Sequence, residues 1–176
     1  MKIAFLDRDG VINNEVNYLH KISDFQYTYK CEDALKNIIA KGYKIIVVTN
    51  QAGIAKGIFK LQDYKKLTEF YINDLAKKNI SILDILFCPH HPDGIIDEFT
   101  CSCDCRKPKP GMFLEAIKKY DINLKDSFMV GDKISDIQAA ETAGIKNLFL
   151  VNSGHKINAH TNILKYNNLY DISNIL

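Results

Sequence analysis

Five short apolar runs constrain this chain more than any other feature: Ile3–Leu6, Lys44–Val48, Ile82–Phe87, Ser127–Val130 and Asn147–Val151. They are rich in β-branched and aromatic residues and lack the apolar-polar alternation of a strand with one wet face, so each reads as a strand buried on both sides. Between them lie helical patterns over Glu32–Lys41, Leu61–Lys78, Met112–Tyr120 and Ile134–Ala143, with Gly42 and Gly144 standing where a helix C-cap belongs. This alternation predicts a doubly wound, mostly parallel α/β sheet. With 176 residues, 47% of them hydrophobic, the chain is sized for a single domain over residues 1–176. From His155 the pattern thins into polar, Asn-rich sequence around an expected edge strand near Ile163–Tyr166 and a terminal turn of helix.

Ligands of open α/β sheets bind beyond the carboxyl ends of the strands, so the residues that follow each run are the place to look for chemistry. Three runs end in polar clusters: Asp7-Arg8-Asp9-Gly10, Thr49-Asn50-Gln51 and Gly131-Asp132-Lys133-Ile134-Ser135-Asp136. Carboxylates gathered from different strands repel one another, which favours a divalent cation with oxygen ligands, magnesium being the natural choice. Two aspartates at i and i+2 can divide the work of phosphoryl transfer, one attacking phosphorus and the other handling the leaving-group proton. Thr49 and Asn50 offer hydrogen bonds to phosphoryl oxygens. Downstream, Arg106-Lys107-Pro108-Lys109-Pro110-Gly111 presents two cations on a stretch stiffened by proline.

The segment from Cys88 to Gly111 has no apolar periodicity, so something other than core packing must order it. Cys88 and His90, and again Cys103 and Cys105, are one residue apart, offering a Cys3His set for a closed structural zinc site in a loop of about residues 88–106. Cys101 and His91 remain as alternative ligands. Thiols crowded this closely suit metal ligation in a reducing compartment, and the short apolar N-terminal run is no signal peptide, so a cytoplasmic protein without a membrane span is expected. A net charge of +2, from 23 basic and 21 acidic residues, argues against nucleic acid as partner and leaves small anions. We expect a monomer.

Together, Asp7-Arg8-Asp9-Gly10, Thr49-Asn50-Gln51, Lys107 and Gly131-Asp132-Lys133-x-x-Asp136 resemble the four ordered motifs of the haloacid dehalogenase superfamily of phosphatases. Cys88-Pro89-His90-His91-Pro92 and Cys103-Asp104-Cys105-Arg106-Lys107-Pro108 narrow the resemblance to the D-glycero-D-manno-heptose 1,7-bisphosphate phosphatases, relatives of histidinol phosphatases. It runs from Ile3 to about Gly154.

The resemblance implies a Rossmann-like fold without a large cap and a magnesium-dependent removal of the C7 phosphate through an aspartyl-phosphate, on the way to ADP- or GDP-heptose for surface glycans. By the same resemblance Asp7 is the nucleophile, Asp9 the general acid and base, and Thr49 and Lys107 stabilise the phosphoryl group. Asp7, Asp9 (through its carbonyl) and Asp132 bind magnesium with Asp136 in support. Asn50, Arg106 and Lys133 contact the sugar phosphate, and Cys88, His90, Cys103 and Cys105 are the preferred zinc ligands. One departure is Val11, where the superfamily often has Thr. The competing readings are a histidinol-phosphate phosphatase and, from another class, a non-catalytic phospho-receiver or zinc module.

Overall fold

The computed structural model describes residues 1–154 and 163–176. Six parallel strands form one sheet in the order β3-β2-β1-β4-β5-β6: β1 (Ile3–Leu6), β2 (Lys44–Asn50), β3 (Asp84–Cys88), β4 (Phe128–Gly131), β5 (Asn147–Val151) and β6 (Lys165–Tyr166). Among the described residues five α-helices accompany them: α1 (Cys31–Ala40), α2 (Leu61–Lys77), α3 (Gly111–Lys119), α4 (Ile134–Thr142) and α5 (Leu169–Ser173). Chain order turns back on itself at β1, which pairs with β2 on one side and β4 on the other; a doubly wound sheet opens its ligand crevice at such a reversal.

Side chains leave a strand alternately, and the core divides accordingly. Ala4, Leu6, Ile45, Val47, Phe128 and Val130 pack under α1, α2 and α5, while Ile3, Phe5, Ile46, Val48 and Met129 pack under α3 and α4. Both faces of the central strands are dry, which is why these runs showed no alternation. A single polar side chain at Phe5 or Leu6 would be buried without a partner on either face.

Several element ends differ from the sequence reading. β2 continues through Thr49 and Asn50 because its ladder with β3 continues, Asn50 opposite Cys88. β3 begins at Asp84 rather than Ile82 and closes on Cys88. β4 begins at Phe128 because the Ile3 N–H is met at 2.9 Å by the Ser127 hydroxyl instead of by a ladder carbonyl. α1 starts at Cys31 after Lys30, whose left-handed backbone (φ 49°) breaks the preceding path. The expected edge strand appears as β6 and the terminal turn as α5, while the polar stretch beginning at His155 lies outside the described residues as far as residue 162.

Candidate active site

The ladder carries one residue past β1: the Asp7 N–H donates to the Val130 carbonyl at 2.9 Å, which fixes the Asp7 carboxylate at the mouth of the β1/β4 crevice. Asp132 stands just past β4, and Asp136 lies on the first turn of α4. The three carboxylates offer oxygens within 4.8 Å of one another, all in buried residues. Lys107, only 3% exposed, is threaded among them, its Nζ 3.1 Å from Asp7 Oδ1, 2.7 Å from Asp136 Oδ1 and donating at 2.7 Å to the Val48 carbonyl. All three ammonium protons thus have acceptors.

Three carboxylates against one ammonium leave two negative charges in a buried place. Burial pushes the Asp7 carboxyl up to about 8; Lys107 opposes the rise, and Asp136, Asp132 and Asp9 add to it. Burial works against the Lys107 charge, yet Asp136 and Asp7 outweigh it and hold the ammonium above its ordinary range. A divalent cation is what this donor set lacks: hard oxygens, two excess charges and a proton otherwise forced onto Asp7. Gly10 lets the catalytic loop pass this close, because a Cβ there would lie 2.5 Å from Asp132 Oδ2 and its φ of +81° suits glycine.

Of the sequence-predicted residues, Asp7, Asp9, Thr49, Asn50, Arg106, Lys107 and Lys133 line one cleft of about 600 Å³, beneath which Asp132 is buried. Asp9 is held on the other side of the loop. Arg8 grips its carboxylate through Nη2 (2.9 Å to each oxygen) and Nε (3.1 Å), and Asn13 and Gln51 donate to it at 2.9 and 3.2 Å. Thr49 accepts from Gln51 Nε2 at 3.0 Å, so its own hydroxyl hydrogen remains available to a ligand. Asn50 has a second engagement that the sequence did not indicate. Its amide donates to the Lys107 carbonyl at 3.0 Å and accepts the Lys107 N–H at 3.1 Å, which ties β2 to the Lys107 backbone and leaves the amide one hydrogen for a substrate.

Asp136 is engaged on both oxygens, by Lys107 and by the Lys133 N–H at 2.9 Å, which meets an open donor at the start of α4. Asp132 accepts from the Ser153 hydroxyl at 2.7 Å. Val11 is fully buried, and the Thr28 hydroxyl donates at 2.7 Å to its carbonyl, bracing the loop from outside. Sequence reasoning gave no role to Arg8, Asn13, Gln51 or Ser153. Arg8 carried the one available signal, a charged residue between two aspartates at the end of a buried strand.

Cys88, His90, Cys103 and Cys105 also converge. Their edges are Cys88–Cys103 3.5 Å, Cys103–Cys105 3.4 Å, His90 Nδ1–Cys105 3.3 Å and His90 Nδ1–Cys88 3.7 Å, with no disulfide. A tetrahedral thiolate site with bonds of about 2.3 Å has edges of about 3.8 Å, so these four side chains fit one ion with a small expansion. Cys101 is exposed, and His91 Nδ1 instead accepts the Asp93 N–H at 3.1 Å; neither belongs to the group. Two residues beyond Cys105, Lys107 enters the carboxylate cluster.

An aspartate just past β1, a buried lysine and the acidic pair Asp132 and Asp136 at the switch point of this sheet are the arrangement of a HAD-like hydrolase, and a family model described as HAD-hydrolase-like matches residues 104–168. The chain is 56% identical, over 100% of its length and 97% of the relative's, to the D-glycero-alpha-D-manno-heptose-1,7-bisphosphate 7-phosphatase of Photorhabdus laumondii. The beta-anomer 7-phosphatase of the same organism is 44% identical over 88% of this chain and 82% of that protein. Among solved structures, the D,D-heptose 1,7-bisphosphate phosphatase of B. bronchiseptica, complexed with magnesium and phosphate, superposes with a TM-score of 0.86 at 28% identity, covering 99% of this chain and 97% of that one. The chain belongs to the heptose-1,7-bisphosphate phosphatase family of HAD-like hydrolases. Among the described residues no helix is long and apolar enough to cross a membrane.

Proposed function

We propose that this chain hydrolyses the C7 phosphate of D-glycero-D-manno-heptose 1,7-bisphosphate, with the α anomer preferred. One observation carries the chemistry: Asp7, Lys107, Asp132 and Asp136 meet in a buried cluster at the sheet's switch point, under a cleft that also holds Asp9 and Thr49. The anomer rests on the Photorhabdus pair, in which the alpha-anomer enzyme is more similar to this chain than the beta-anomer enzyme.

In the proposed mechanism an Asp7 carboxylate oxygen attacks phosphorus, the bond to the sugar oxygen breaks, and Asp9 delivers a proton to that oxygen. Asp9, then a carboxylate, takes a proton from the water that opens the aspartyl-phosphate, returning Asp7 and releasing phosphate. Lys107, turning the proton it gives Asp7 to the phosphoryl group as that carboxylate attacks, and the Thr49 hydroxyl hold the equatorial oxygens, and Asn50 holds the Lys107 backbone. Asp7, Asp132 and the Asp9 carbonyl would hold magnesium, which would supply positive charge against the phosphoryl group. Asp136 acts by orienting Lys107 and the α4 terminus. Arg106 and Lys133 face the remainder of the substrate.

We assign zinc to Cys88, His90, Cys103 and Cys105, as an organiser of the loop that leads into Arg106 and Lys107. Stripping it with a thiol-competitive chelator, then restoring magnesium, is expected to lower the melting temperature by about 10 °C or more and to reduce turnover, both recovered by zinc. Retained activity in protein shown by elemental analysis to be zinc-free would refute this role. Because a thiolate metal site needs reduced cysteines, we take the protein to be a cytoplasmic enzyme, one domain acting as a monomer.

The deciding assay is magnesium-dependent phosphate release from the α and β heptose bisphosphates and from histidinol phosphate. Fastest release from the α anomer is expected. A preference for the β anomer would reverse the anomer assignment, a preference for histidinol phosphate would displace the substrate, and release from none would leave the receiver reading.

A further inference from the structure

The substrate just proposed carries a second phosphate, on its anomeric carbon, and that group must meet the cleft away from Asp7. Four cations line the cleft: Lys56, Arg106, Lys107 and Lys133. Lys107 is held by Asp7 and Asp136, and Lys133 lies 3.3 Å from Glu15. Among the described residues no carboxylate pairs with Lys56 or Arg106, and Arg106 Nη1 is buried without a hydrogen-bond partner. A cation left without a counterion at the wall of a cleft that a guanidinium with an unused N–H also lines is arranged for an anionic ligand.

Lys56 is also held in place, which separates it from a solvated surface lysine. Its Nζ donates at 3.1 Å to the Tyr18 hydroxyl, and Tyr18 sits in the left-handed region at φ 60°. The Tyr18 carbonyl is 2.8 Å from His20 Nδ1, and the His20 ring stacks on Phe59 at 5.2 Å, closing the N-terminal loop onto the loop that bears Lys56. From the other side the cysteine loop docks on the neighbouring residue: the N–H groups of Ile95 and Ile96 both donate to the Ala55 carbonyl, at 2.8 and 3.0 Å. Gly94 permits the contact, since a Cβ there would lie 2.9 Å from that carbonyl. Three loops therefore converge to present one lysine to the cleft.

We propose that Lys56 is a specificity-determining residue that, together with Arg106, binds the distal phosphate of a sugar bisphosphate. The inference rests on the proposed reaction and deepens it: Lys107 serves the phosphate that reacts, and Lys56 serves the one that stays. The metal-bound loop then supports substrate choice twice, by carrying Arg106 and by bracing Ala55 next to Lys56.

The test compares heptose 1,7-bisphosphate with heptose 7-phosphate in the wild type, Lys56→Ala and Lys56→Arg, with magnesium and zinc present. For Lys56→Ala the ratio of kcat/KM for bisphosphate over monophosphate is expected to fall by about 10- to 100-fold, chiefly through KM, and Lys56→Arg to restore most of it. Equal losses on both substrates, or no loss on either, would overturn the inference while leaving the reaction intact. Failure of the wild type to release phosphate from the bisphosphate would instead remove the proposed reaction, and this inference with it.

Discussion

Asp7→Asn is expected to lower phosphate release by roughly 10⁴- to 10⁶-fold, the scale on which removal of a catalytic nucleophile acts, with the fold retained. Asn has the same shape, but its amide cannot form the acyl phosphate. The same variant carries a second, independent signature. Burial holds the Asp7 carboxyl up to about 8 against an ordinary value of 3.8. A carboxyl that is harder to ionise in the folded chain costs stability as pH rises from about 3.8 towards 8, because the unfolded chain releases that proton first. Below that window the cost is absent. In magnesium-free buffer without chelator, so that the thiolate site is undisturbed, Asp7→Asn should melt above the wild type at pH 7, the gap closing towards pH 4. Added magnesium should raise the wild type more than the variant. A variant that melts well below the wild type at pH 7 without magnesium would mean that the Asp7 carboxylate is a net stabilising partner of Lys107, and the charge argument for a divalent cation would fail.

The sheet is legible because burial on both faces leaves an unmistakable run of β-branched residues, and the polar residues behind Leu6, Val48 and Val130 mark the crevice from sequence alone. What escaped was partner choice. Thr49 and Asn50 read as the end of β2 by their polarity, although the ladder with β3 continues through them. Asn50 read as a substrate donor and does line the cleft, but its amide also meets the Lys107 backbone 57 residues away, a contact no local pattern encodes. Arg8 follows the nucleophile and would pass for a surface charge, yet it is 1% exposed and clamps Asp9. Lys56 follows Gly53-Ile54-Ala55 as an ordinary loop lysine until the N-terminal and cysteine loops are folded over it. The Cys3His set was predicted, but spacing left Cys101 and His91 open, and only the tertiary path of the loop sets those two aside.

Lys107→Met should damage both stability and rate, and the two losses should respond differently to magnesium. Methionine fills a similar volume but supplies none of the three hydrogen bonds that Lys107 donates, to Val48, Asp7 and Asp136. Removing one partner from a buried ionic cluster costs about 3–5 kcal/mol, which for a domain of this size corresponds to a drop of roughly 10 °C in melting temperature. Without the ammonium, three crowded carboxylates carry one more uncompensated charge, so divalent cations should bind more tightly and recover part of the lost stability. Turnover should not follow. A cation acting on phosphoryl oxygens is worth about 10²- to 10³-fold or more in kcat, and an ion seated among the carboxylates cannot occupy the place of the lysine side chain. Lys107→Arg should not substitute, because a planar fork cannot reach three acceptors arranged around a single nitrogen. Thermal melts and phosphate release across a magnesium titration separate the two effects. Rate and stability recovering in parallel would show that Lys107 balances charge only, and the assignment of a phosphoryl-holding role to it would have to be withdrawn.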